Sequence, residues 1–302
     1  MASGRSRYGP ALAASRRAAG RCMVGLRRAS ADAQAVGQHR RRDIHDLLAA
    51  WRKFAASAPP FVLEADEALL EPSVAKRWTA IHAGWSAFTL NPSFGAPDRR
   101  LHLALLPMPF AGALETASVV VLMLNPGLNP VDYFAEYEVP EFRKVLLSNL
   151  QRSEAGPEHA NPFLNPQFAW HSGFGYWHAK FRELIANHAA AHGRSLAESL
   201  RVFAREVAFL ELYPYHSESF GLPRSITSRL VSARLARSYA HEVLLPRARS
   251  GETLLLVTRQ SKEWGLGAER NVVVYSRGEA RGAHLTPRSR GGEAILRHLS
   301  AQ

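Results

Sequence analysis

Short runs that are apolar at nearly every position alternate along this chain with longer stretches whose apolar residues return every three or four positions. The continuous runs lie at 118–124, 207–212, 253–258 and 271–275, and such runs suit strands buried on both faces. A shorter run at 101–106 reads as an edge strand. Helical spacing begins at 43–56, where Ile44, Leu47, Leu48, Trp51 and Phe54 share a face, and Pro59-Pro60 ends it. Further helical stretches are expected at 67–88, 140–150, 176–204 and 226–245, with a last short helix after Gly291-Gly292. Strands alternating with helices predict one α/β domain over 43–302, a three-layer α/β/α sandwich around a central, mostly parallel, four-stranded sheet.

In such sheets ligands sit beyond the carboxyl ends of the strands, here 125–127, 211–217, 259–264 and 276–281. No G-x-G-x-x-G follows a strand, and neither a phosphate-binding G-x-x-x-x-G-K-[ST] nor a G-x-S-x-G elbow occurs. Dinucleotide oxidoreductases, P-loop NTPases and ordinary α/β hydrolases therefore lose ground. A single cysteine, Cys22, excludes a disulfide framework and thiolate metal clusters, and fits a reducing cytoplasm. No apolar run approaches the roughly 18–20 residues needed to span a bilayer, so a soluble protein without membrane partner is expected. His188 and His192 stand one helical turn apart, but no Glu follows the first and no third ligand is evident, so no metal and no cofactor is expected.

Charge changes the picture in one place. Residues 1–42 hold ten arginines and one acid, Asp32, whereas the rest of the chain is close to balanced. This leader reads as a disordered extension; a nucleic-acid-binding arm, a transit-peptide-like segment and a later start at Met23 stay open. It is set aside in reading function.

Two strand ends carry the chemistry: Leu122-Met-Leu-Asn-Pro-Gly127 and Phe209-Leu-Glu-Leu-Tyr-Pro-Tyr-His-Ser217. In this order they resemble the uracil-DNA glycosylase superfamily over about residues 115–290, most specifically at Asn125-Pro126-Gly127. The resemblance implies that Asn125 positions the attacking water, an Asx-turn before Pro126 being the plainer role. Gly127 stands where strict uracil enzymes carry a bulky aromatic, which leaves room beside the 5-position of a pyrimidine. Glu211 falls where the superfamily has a base-reading Asn. An ionised carboxylate there favours an amino group such as cytosine N4, a protonated one donates instead, and a structural ion pair to an arginine is the plainer role.

His216 is a candidate donor to the leaving base or to a phosphate. The superfamily's His-Pro-Ser loop after the fourth strand is replaced by Tyr275-Ser-Arg-Gly-Glu-Ala-Arg281. That departure puts the usual leaving-group histidine in doubt, with Leu285 as a weak candidate wedge. Ser276, Arg277 and Arg281 remain candidates for gripping phosphates, joined by Arg259 and Lys262 after the third strand. Substrate contacts are expected from Pro126, Gly127, Glu211 and Tyr213, and base stacking from Tyr133, Phe134 or Tyr137.

The expectation is a monomeric, monofunctional DNA glycosylase that hydrolyses the N-glycosidic bond of a flipped pyrimidine, such as a 5-substituted cytosine of phage DNA or a uracil-type base. Repair and antiviral defence are both compatible. Two rivals stay open: a nucleic-acid-binding protein of the same fold without catalysis, and a hydrolase of small nucleotides.

Overall fold

A computed structural model describes residues 46–152, 161–279 and 285–300. Seven strands form among them, in two sheets. Thr79–Ala80 (β1) pairs in parallel with Leu101–His102 (β2) as a separate two-stranded sheet. The main sheet joins Phe110–Ala111 (β3), Val119–Met123 (β4), Val207–Glu211 (β5), Leu254–Val257 (β6) and Val272–Val274 (β7) in the order β3-β5-β4-β6-β7. The four expected central strands are present and parallel. The sheet has five strands rather than four, because β3 adds an antiparallel edge against β5. Two residues between Pro109 and Gly112 leave no periodicity by which to read such a strand. The 101–106 run contributes only β2, outside the main sheet.

The helices used below are Asp46–Arg52 (α1), Pro130–Glu138 (α2), Pro140–Gln151 (α3), Ser172–His192 (α4), Leu196–Glu206 (α5), Val231–Tyr239 (α6), Leu245–Ser250 (α7) and Arg290–Ser300 (α8). The helix expected over 67–88 is instead two four-residue turns, β1 and Trp85–Thr89, broken at Pro72 and at Gly84. The 176–204 stretch is two helices, α4 and α5, parted at Gly193, whose φ of 60° is the left-handed conformation that ends a helix. The 226–245 stretch begins as the turn Arg224–Thr227, and α6 then continues through a π-helical turn, Ala240–Leu244, into α7. Gly291 and Gly292 lie inside α8 rather than before it. A Cβ on Gly291 would run into the Tyr275 hydroxyl, and one on Gly292 into the Thr286 carbonyl. Close packing, not helix termination, explains that pair.

β4 is fully buried and hydrogen-bonded on both sides, level with β5 from Val119↔Val207 to Met123↔Glu211 and with β6 from Val119↔Leu254 to Leu122↔Val257. All three strands therefore end at one edge of the sheet. Trp177 of α4 stacks on Phe209 of β5 with ring centres 3.7 Å apart, and so ties a helix to the sheet just below that edge.

Candidate active site

The loops that leave β4 and β5 are stitched together. The Tyr213 N–H donates to the Leu124 carbonyl at 2.9 Å and the Ser217 N–H to the Pro126 carbonyl at 3.4 Å. The Asn125 side-chain Nδ2 donates to Ser217 Oγ at 2.9 Å and to the Pro126 carbonyl at 2.8 Å. An amide whose nitrogen is engaged twice has a fixed orientation, and Asn125 Oδ1 is left as an acceptor. His216 is 4% exposed, and its Nδ1–H donates to the Gly127 carbonyl at 2.9 Å. Burial lowers the pKa of this imidazole, with Asp132 and the Gly127 and Leu106 carbonyls pulling the other way. A neutral ring with its proton on Nδ1 carries a lone pair on Nε2. His216 thus pins the Asn125 loop through its Nδ1–H.

A cavity of about 690 Å³ opens at this edge. Asn125, Pro126, Gly127, His216 and Ser217 line it from the stitched loops, and Glu211 from the end of β5. Nothing lies within 4 Å of where a Gly127 Cβ would stand, so the space expected beside it is present. Glu211 is 7% exposed, and its Oε2 is buried without a hydrogen-bond partner. Burial lifts its carboxyl from an ordinary 4.5 to about 8, against the opposing pull of the Arg259 guanidinium. Among the described residues no ion pair joins Glu211 to an arginine.

Sequence reasoning missed part of this wall. Asp132 and His171 both line the cavity, with Asp132 Oδ1 3.2 Å from His171 Nε2. Asp132 Oδ2 accepts from the Asn129 N–H in the capping box of α2, and His171 Nδ1 accepts from the Gly173 N–H at the start of α4. The Asn-Pro-x-Asp pattern of that box is legible, whereas its meeting with a histidine 39 positions away is a tertiary fact. Tyr176 and Trp177 of α4 also face the cavity.

Beside it lies a second hollow of about 640 Å³, lined by Arg259, Gln260, Ser261, Lys262, Tyr275 and Arg277, and sharing Leu124 and Arg259 with the first. Gln260 holds a left-handed backbone with φ of 51°, a sparsely populated conformation at the end of β6. Arg259, Lys262 and Arg277 are exposed and form no ion pair among the described residues. Ser276 is used locally: its N–H donates to Glu279 Oε2 and its Oγ accepts from the Glu279 N–H. Arg281 lies outside the described residues.

Several candidates sit elsewhere. Tyr133 is fully buried, stacked on Phe88 with ring centres 4.1 Å apart and its hydroxyl 3.0 Å from His102 Nδ1, and so cannot stack on a base. Tyr213 is buried against Phe220, and the Tyr137 hydroxyl donates to the Ala104 carbonyl. Leu285 is 1% exposed, so it is core and no wedge. Phe134 is 39% exposed and packs edge-on with Trp85 and with Trp170, the residue before His171. His188 shares Nδ1 with Ser199 Oγ, and His192 Nδ1 donates to the His188 carbonyl.

No family model, no curated protein and no solved structure matches this chain.

Proposed function

We propose that the chain is a monofunctional DNA glycosylase that removes a flipped pyrimidine and leaves an abasic site. The observation that carries this reading is Asn125, its amide nitrogen locked by Ser217 and Pro126 and its Oδ1 free to accept, on the wall of a cavity that also holds Glu211. Breaking an N-glycosidic bond builds positive charge on the sugar and negative charge on the base. A fixed amide oxygen orients a water towards the sugar carbon without being a base, so the rate gain comes from positioning. Hydrogen-bond donors and dipoles held fixed on the cavity wall stabilise the charge on the departing base. Among the described residues no lysine lines the cavity, and the proposal includes no Schiff-base lyase step.

The basic hollow next to the cavity supplies Arg259, Lys262 and Arg277 for the phosphates flanking the flipped nucleotide. The open space at Gly127 supports a 5-substituted base, with a modified cytosine of phage DNA as our first choice and a uracil-type base as the second. A catalytically silent nucleic-acid-binding protein is favoured by one observation, the commitment of the His216 N–H to the Gly127 carbonyl. The test is to incubate the protein with DNAs carrying uracil, cytosine and 5-substituted cytosines and then heat with alkali. Strand breaks at the modified positions support the glycosylase. Intact strands throughout, with DNA still bound, support the silent binder.

A further inference from the structure

The carboxyl group that ends β5 lines the cavity, with one oxygen buried and no partner for it among the described residues. The charged or titratable groups that face it are Arg259 after β6 and Tyr176 of α4, while Met123 of β4, Met108 before β3 and Phe209 bring no charge. A carboxylate stripped of water and left without a hydrogen bond is costly, and such a group keeps its proton instead. We propose that Glu211 reads the flipped base as a neutral carboxylic acid, pairing through one O–H donor and one carbonyl acceptor with 4-amino and 4-oxo pyrimidines alike. The proposal rests on the glycosylase reading for the presence of a flipped base in this cavity.

Against a cytosine edge the acid O–H donates to N3, and its carbonyl oxygen accepts from the N4 amino group. Against a uracil edge the proton moves to the other oxygen, donates to O4, and the partner oxygen accepts from N3–H. Either edge thus finds two hydrogen bonds once the carboxyl group turns its buried oxygen towards the cavity that Glu211 lines. An ionised Glu211 keeps one bond to each edge and sets a lone pair against the second oxygen, so ionisation weakens both. This replaces the preference for amino groups expected of an ionised carboxylate. Discrimination at the 4-position is then small, and the selection falls to the space at Gly127.

The test uses two DNAs that differ only at the 4-position, carrying 5-hydroxymethylcytosine or 5-hydroxymethyluracil on a 2′-fluoro sugar that resists hydrolysis. Kd is measured at pH 6.5 and 8.5 for the wild-type chain, Glu211→Gln and Glu211→Ala. We expect wild-type affinities for the two DNAs within about tenfold of each other, the worth of one neutral hydrogen bond at most. Both affinities should fall about fourfold at the higher pH, as the neutral fraction of a group titrating near 8 declines. Glu211→Gln keeps a donor and an acceptor, so it should bind both DNAs and lose the pH dependence, whereas Glu211→Ala should weaken both.

A hundredfold preference for the 4-amino base, tighter binding at the higher pH, or an unchanged pH profile in Glu211→Gln would overturn the proposal. Base release is scored separately on hydrolysable DNA. Affinities that behave as expected without release leave the neutral reader standing and remove the glycosylase. Release with a hundredfold 4-amino preference does the reverse.

Discussion

A proton on Glu211 has a consequence for stability as well as for recognition. The folded chain holds this proton up to about pH 8, while the unfolded chain releases it near 4.5. Stability therefore falls as pH rises through that window, because the folded state binds more protons than the unfolded one. Glu211→Gln removes the loss. Thermal denaturation should show the variant more stable than wild type by on the order of 2–3 kcal/mol at pH 7, with the gap closing below pH 4.5. A wild-type chain as stable as the variant at pH 7 would show that Glu211 is ionised there. Gly127 poses a steric test. Gly127→Tyr fills the open wall, so excision of 5-substituted pyrimidines should drop before excision of unsubstituted ones, read from competing substrates in one reaction.

At the level of elements, the four parallel strands were legible because each is a run without polar alternation, and Val207–Glu211 starts where the run starts. With them came the strand ends, and so Asn125, Gly127, Glu211 and His216 as neighbours. The rest depended on helix phase and on distant contacts. Adjacent aromatics on α2 part ways, Tyr133 into the core and Phe134 to the surface, and sequence offers little to tell which. The pairing of Asp132 with His171 exists only once α2 and α4 have packed on the sheet. The segments after β6 and β7 are predicted to act together on phosphates. Replacing Arg259, Lys262 and Arg277 by Ala should lower the slope of log K against log salt by about 2–3, since each lost phosphate contact removes about 0.7–0.9. An unchanged slope would place the nucleic acid elsewhere.

Among the described residues, buried carboxyls and buried histidines are shifted by burial in opposite directions. Glu136 and Glu211 are pushed up to about 8 by burial, Glu136 against the pull of the Leu106 N–H and Arg143. His102 is lowered to about 4 by burial, and His216 is lowered too. The unfolded chain takes up protons on these histidines below about pH 6.5, so their effect is a loss of stability as pH falls from there. The two carboxyls lose stability as pH rises from about 4.5 to 8. Between pH 6.5 and 8 only the carboxyls act, and the melting temperature should decline across that interval. A flat or rising profile there would contradict the protonated state of both. Among the described residues no helix is long and apolar enough to cross a membrane. The cavity opens at the sheet edge, with the basic hollow beside it.

The central claim, that Asn125 places a water for base release inside this cavity, is tested most directly by single-turnover hydrolysis. Wild type and Asn125→Ala are mixed in excess with DNA carrying a 5-substituted cytosine, and the free base is quantified over time by mass spectrometry. Wild type should release the intact modified base, and Asn125→Ala should lose about two or more orders of magnitude in rate with DNA affinity retained. Equal release rates in the two proteins, or no free base from wild type on any pyrimidine tested, would contradict it.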